Sequence, residues 1–291
     1  MAGFFDAIDT NRRNSLILIL FLGFLVFVAV SAFSMMYDMG MAGFILGAVI
    51  ATVYALFSYY LGSKMILALS GAKPVAKEDN PYLYNLVEGL ALAAQIPAPK
   101  LYMIEDRSMN AFATGRDPSH SAIVVTRGLA ENMNRAELEG VIAHEMSHIG
   151  NYDIRYMMIT VVMVGMIGFL GEVALRSFLW GGSGRRDGGS SILVLLGLIL
   201  AILTPIIAML VKMAISRERE YLADATAVRL TRYPDGLKSA LKKIRDGYQP
   251  TRSATETTAS LYFADPIGKK LTGLFATHPP IEDRIKRLEG F

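Results

Sequence analysis

The sequence has no cysteine in 291 residues, one tryptophan and only four histidines. The missing cysteine excludes disulfides, thiolate metal ligands and cysteine nucleophiles together. Any metal site must therefore be built from imidazole and carboxylate. Charge is also sparse. Acidic and basic residues make up 19% of the chain, and the formal net charge is +3. Lysine and arginine form no basic stripe interleaved with aromatic platforms, which argues against nucleic-acid binding. Apolar residues fill the space that charge leaves. They make up 53% of the chain, with a mean hydropathy of +0.37. That is too apolar for an ordinary soluble domain and directs attention to membrane spans.

Four long apolar runs stand out, at about 15–34, 39–63, 156–175 and 191–211. Each is long enough to cross a bilayer as a helix. Gly43 and Gly47 place small residues four apart in the second run, a pattern that lets helices approach closely. Thr204-Pro205 predicts a kink in the fourth. The first run follows Arg12 and Arg13, like a secretion signal, but its apolar core is longer than a signal's. It is expected to stay as an anchor. Arg12, Arg13, Lys64, Lys73, Lys77, Arg155, Lys212, Arg217 and Arg219 fall on one side of this arrangement. Only Arg176, Arg185 and Arg186 fall on the other. The positive-inside rule then puts both termini and the polar regions in the cytoplasm. The glycine-rich link 177–190 lies outside and reads as a tether.

Four segments follow: a membrane hairpin (1–68), a polar segment (69–155), a second hairpin (156–211) and a second polar segment (212–291). In the first polar segment, "NPYLYNLVEGLALAAQ" reads as an amphipathic helix, and "KLYMIED", "MNAFATG" and "SAIVVT" as short strands. His120, in the turn "GRDPSH", reads as a solvated residue. The second polar segment supplies three helices and a polar, mobile loop at 251–260. The expected fold class is mostly α: a four-helix transmembrane protein with a cytoplasmic α+β domain. That domain carries a small antiparallel sheet.

The chemistry gathers at "VIAHEMSHIGNYD". Asn134 and Glu137 form a capping-box pattern that starts a helix. His144 and His148 are four apart, on one helical face, and both imidazoles can reach one cation. Neutral imidazole suits zinc, and Glu145 is placed as the general base for a water that the metal activates. A third ligand must come from elsewhere. "SREREYLADA" offers Glu218, Glu220 and Asp224, of which Glu220 and Asp224 share a face. The same charges would also suit a solvated helix face. An unbroken helix from His148 to Arg155 would put the metal about 10 Å above the third span.

"HEMSHIGNYD", a membrane hairpin, "SREREYLADA" and "FATHPPIEDRIKRL" together resemble the HtpX family of membrane zinc endopeptidases. That family is related to the CAAX-prenyl endopeptidases. The resemblance covers almost the whole chain. It implies one zinc per chain, with Glu220 as third ligand and Asp224 behind a histidine. It implies a substrate-facing edge strand at Asn110, Ala111, Phe112 and Ala113. A peptide would add to that edge through backbone hydrogen bonds, which reads little side-chain sequence. It places His278 near the active site, where two roles fit: a donor to the oxyanion, or a structural hydrogen bond. It also implies misfolded or damaged membrane proteins as substrates, in a quality-control and stress role at the cytoplasmic (inner) membrane. An intramembrane protease is disfavoured, because polar residues flank the motif on both sides. A prenyl-protein protease would be expected in a longer chain with more spans. A catalytically dead scaffold is disfavoured by the intact Glu145, and a transporter by the lack of polar groups inside the spans.

Overall fold

The computed structural model describes residues 4–35, 39–163, 165–166, 217–268 and 279–291. The third run beyond residue 166, the link 177–190, the fourth run and His278 lie outside the described residues.

Two helices among the described residues are long and apolar enough to cross a membrane. They are α1 (Phe4–Met35) and α2 (Gly40–Leu69), packed as a hairpin. Small residues set the packing distance. A methyl group on Gly43 would come within 2.5 Å of Ser34 Cβ, and one on Gly47 within 2.7 Å of Ser31 Oγ. The opposite faces leave Leu16, Leu20, Phe24, Ile45, Val49 and Val53 exposed, as lipid-facing positions require. α1 starts eleven residues ahead of its apolar run, and Asn11 in that extension is buried against the rest of the protein.

The chain then runs through β1 (Lys73–Pro74), α3 (Pro81–Ala94), β2 (Lys100–Ile104), β3 (Ala111–Gly115) and β4 (Ser121–Thr126). Asn80 caps α3 by accepting from the Leu83 N–H, and Pro81 fits its first turn. The sheet order is β1-β2-β4-β3. It is mixed, not antiparallel as expected: β2 and β4 run parallel, with Lys100 opposite Ala122 and Ile104 opposite Thr126. β4 is buried at every position and takes the centre, as an uninterrupted apolar strand should. It slots between β2 and β3, which are consecutive in the chain. β3 is left at the edge.

After α4 (Arg127–Asn132) comes α5 (Arg135–Gly150), which carries the HExxH motif. The expected capping box is present: Asn134 Oδ1 accepts from Glu137 N–H at 3.0 Å, and Glu137 Oε2 accepts from Asn134 N–H at 2.8 Å. α5 is buried along most of its length, against β3, α7 (Arg217–Thr231) and α8 (Pro234–Asp246). Gly140 and Gly236 let α5 and α8 touch backbone to backbone. A methyl group on Gly236 would lie 2.4 Å from Ala136 O. The last helix, α9 (Ile281–Leu288), closes on α7 and α8. α5 does not run on into the third apolar run. It stops at Gly150, Tyr152 takes a left-handed backbone (φ 62°), and α6 starts afresh over 153–163. The straight-helix expectation is therefore replaced by a break, and the break turns Asp153 back toward His148.

Glu137 does more than cap. It accepts from Ser239 at 2.7 Å and from Lys243 at 2.7 Å, tying α5 to α8. Burial alone would raise its pKa, but Lys243, Ser239 and the Asn134 N–H outweigh it and hold it below the usual carboxylate value. A depressed folded pKa gives stability that is present above the unfolded value of about 4.3 and lost as pH falls through the folded one. Glu137→Gln is expected to lower the midpoint of thermal unfolding at pH 7. The difference from the parent should shrink as the pH of the melts is taken below about 4.

Candidate active site

α5 supplies His144, Glu145 and His148, and α7 supplies Glu220 and Asp224, all of them 1–5% exposed. The structure brings together the three expected ligands. His144 Nε2 and His148 Nε2 are 3.1 Å apart. Glu220 Oε2 stands 3.5 Å from His144 Nε2, and Glu220 Oε1 3.5 Å from His148 Nε2.

Both rings are pinned from behind. His144 Nδ1 is 2.9 Å from Asp224 Oδ1, and His148 Nδ1 is 3.0 Å from Asp153 Oδ2. A carboxylate behind each Nδ1 fixes the proton there, so the network assigns the tautomer that leaves Nε2 a bare acceptor. Two bare Nε2 lone pairs would then face each other at 3.1 Å, which is repulsive unless a proton or a metal ion lies between them. Tetrahedral donors about 2.0–2.1 Å from one ion stand roughly 3.3 Å apart. The three separations here fall on either side of that value. The donor set, two imidazoles and a carboxylate without sulfur, therefore fits a metal ion. The field agrees: burial disfavours a charged His148, yet Asp153 and Glu220 overcome it and carry its pKa up to about 9. The pocket attracts positive charge.

Asp224 is the other fixed point. It lies between His144 and Arg284, whose Nε and Nη2 grip its two oxygens at 2.9 and 2.6 Å. Arg284 is 1% exposed, and its Nη1 also donates to the Phe263 carbonyl at 2.9 Å. Burial would raise the Asp224 pKa; the Arg284 charge and the His144 contact reverse that and hold it at about 2. Among the described residues no arginine grips Glu145 in this way, and burial pushes its carboxyl up against the opposing pull of His144, His148 and Arg284.

The edge strand has partners that sequence reasoning missed. Asn110 does not present a free amide: its Nδ2 donates to Ala264 O at 2.9 Å, and its Oδ1 accepts from Ala264 N–H at 3.1 Å. Phe263 N–H donates to Ala111 O at 2.7 Å, so residues 263–264 occupy one end of the β3 edge. The Phe263 ring meets His144 edge to face at 4.9 Å, and Tyr262 meets Phe112 at 5.0 Å. The loop at 251–260, expected to be mobile, is bound to the protein. Thr251 and Thr258 are buried, and Thr251 Oγ1 is 2.9 Å from Ser108 Oγ. His120 behaves as expected: it is exposed and pairs with Asp117 at 2.8 Å. Asp153 and Arg284 had no local signal, since each acts through chain reversal or long-range contact. The run "IEDRIKRL" does mark an amphipathic helix, but not which of its arginines turns inward.

An HExxH helix with a carboxylate from a second helix, beside an edge strand, defines a metallopeptidase. The chain matches the model of peptidase family M48 over residues 77–291. It belongs to that family. It is 47% identical over 286 residues to a protease HtpX homolog of Dictyoglomus turgidum, covering 98% of this chain and 94% of that one. It is 44% identical over 288 residues to one from Lactobacillus acidophilus, covering 96% of each. Its fold is similar to the crystal structure of S. mikatae Ste24p, with a TM-score of 0.54 and 19% identity. That likeness covers 97% of this chain and 66% of the Ste24p chain. The protein is thus a membrane metallopeptidase, acting on peptide bonds.

Removing Arg284 would leave the Asp224 carboxylate buried and unpaired. Arg284→Met is expected to cost about 3–5 kcal/mol in unfolding experiments in detergent. The double variant Arg284→Met/Asp224→Asn should recover a substantial part, because it removes the stranded charge. Equal losses in the single and double variants would contradict this pairing.

Proposed function

We propose that the metal is zinc, one ion per chain, held by His144, His148 and Glu220, and that Glu145 is the catalytic base. The observation that carries this reading is the convergence of the three donors at 3.1–3.5 Å. Zinc bound there supplies Lewis acidity, polarising the scissile carbonyl and acidifying water. Asp224 and Asp153 hold the two rings by Nδ1 and aim both Nε2 atoms at one point. Glu145 takes a proton from the attacking water as its oxygen bonds to the carbonyl carbon, and returns it to the amine as the C–N bond breaks.

β3 presents the substrate in this proposal. Ala111 and Ala113 face the outer edge, alternating with Asn110 and Phe112, since Thr126 N–H donates to Asn110 O on the inner side. Residues 263–264 hold the Ala111 end, so an extended peptide adds along Ala113. Phe112 packs behind the edge against Tyr262, and Asn110 latches the cover. His278, one residue before Pro279 and six before Arg284, lies outside the described residues; the resemblance offers it either as a donor to the oxyanion or as a structural hydrogen bond. Backbone recognition suits unfolded segments in general. With the HtpX name of its relatives, it supports misfolded or damaged membrane proteins as substrates, in quality control at the cytoplasmic membrane.

Purified in detergent, the chain should contain about one zinc and cleave an unfolded membrane protein. Glu145→Gln should keep the metal while turnover falls at least 10²-fold. Glu220→Ala should lose metal. Cleavage by Glu145→Gln at the parent rate would end the mechanism, and unchanged zinc affinity in Glu220→Ala would end the ligand assignment.

We propose a four-span topology with both termini and the active site in the cytoplasm. The absence of native cysteine makes the test direct. In intact cells, an impermeant thiol reagent should label Ser183→Cys and leave Glu131→Cys unlabelled until the membrane is opened. The reverse pattern would invert the topology.

A further inference from the structure

The first membrane helix reaches the metal centre through one buried side chain. Asn11 lies four residues before the apolar run that starts at Ser15, and it is 4% exposed. Its Nδ2 donates to Asp153 Oδ1 at 2.7 Å and to the Asn151 carbonyl at 2.9 Å. Asp153 turns its other oxygen to His148 Nδ1 at 3.0 Å. Asn151 is the C-cap of α5, the helix that carries both histidines. One amide thus holds the carboxylate behind a ligand and the end of the ligand-bearing helix.

The neighbouring contacts show that this is a built junction. Arg12 donates to Tyr152 Oη at 2.7 Å, and its guanidinium lies 4.3 Å over the Tyr152 ring. Tyr152 is the left-handed residue that breaks α5 from α6 and brings Asp153 back. Ser15 Oγ donates to the Asn11 carbonyl at 2.7 Å, holding the first turns of α1 in register.

The chemistry favours an amide at position 11. A neutral donor fixes Asp153 without adding a second positive charge to that of Arg219, 3.8 Å from the same oxygen, so the carboxylate keeps its hold on the His148 Nδ1 proton. A lysine or arginine there would neutralise Asp153, and an aspartate would repel it. We infer that Asn11 is a positioning residue of the metal centre, so that α1 is part of the active-site framework as well as an anchor. The inference rests on the reading of His144, His148 and Glu220 as metal ligands.

The test uses the full-length chain in detergent. Zinc affinity is measured by chelator competition, the visible spectrum is recorded on the cobalt-substituted protein, and thermal unfolding is followed without metal. Asn11→Ala should weaken zinc binding by about 10–100-fold and shift the cobalt bands. The unfolding midpoint without metal should fall below that of Arg13→Ala, an exposed neighbour on the same helix, because two buried acceptors lose their donor; the cobalt bands separate this loss from the effect on the metal centre. Asn11→Ser, which keeps a small donor, should fall between Asn11→Ala and the parent. It supplies the same measurements if Asn11→Ala fails to fold. Parent-like affinity and cobalt spectrum in Asn11→Ala, or in Asn11→Ser where that variant stands in, would overturn the inference. So would an equal loss of affinity in Arg13→Ala. Metal retained after His144→Ala would instead overturn the ligand reading beneath it, so the two failures are distinguishable.

Discussion

The structure depends on the orientation of two imidazoles four residues apart on one helix. A free histidine on a helix samples several rotamers and two tautomers, and two such rings would seldom aim their Nε2 atoms at one point. Here a carboxylate stands behind each ring, and each comes from a different part of the chain. Asp153 follows a deliberate break after α5, and Asp224 lies one helical turn beyond Glu220. The carboxylates need fixing in turn. Arg284 grips Asp224 with two nitrogens, and Asn11 holds Asp153. The ligand pair thus draws α1, α5, α6, α7 and α9 into one bonded set.

This layering decides what could be read from the sequence. The HExxH spacing, its capping box and the apolar faces of α5 are local, and local periodicity exposes them. Helices α3, α5, α7, α8 and α9 and strands β2, β3 and β4 all appear where the pattern puts them. Spacing narrowed the third ligand to Glu218, Glu220 or Asp224, and the resemblance to a known family chose Glu220. The rest is set by distant pairings that have no period. The parallel pairing of β2 with β4 depends on which strand takes the buried centre, while each strand's own pattern is neutral about its neighbour's direction. The break at Tyr152 is carried by a non-glycine residue with positive φ, which no turn signature flags. Arg284 sits in a helix with several other charges. Only the meeting of α9 with Asp224 turns that one inward.

The membrane helices enter the same argument. α2 leaves Gly62 against Met158 of α6, where a methyl group would come within 3.2 Å of the thioether. α6 begins with Asp153, so the helix that packs on α2 also carries the support of His148. Arg155, two residues further on, donates to the Arg116 carbonyl just past β3, which ties that junction to the edge strand. The support of His148 and the β3 edge are thereby tied to one set of contacts beside α2.

Charge balance closes the account. Among the described residues the pocket gathers four buried carboxylates: Glu145, Asp153, Glu220 and Asp224. Two arginines answer them: Arg284, fully buried, and Arg219, on the rim 3.8 Å from Asp153. With all four ionised, two negative charges remain in a site where water gives little screening. Buried charge without compensation is strongly destabilising, so one of two things must occur. Protons can enter, as the raised pKa values of His148 and Glu145 express, or a divalent cation can bind. The cation is the better solution, because the two Nε2 atoms and the Glu220 oxygens already stand at the spacing of its ligands. A metal in that position would return His148 to its neutral form and draw down the Glu145 pKa, leaving the base charged when it has a proton to take.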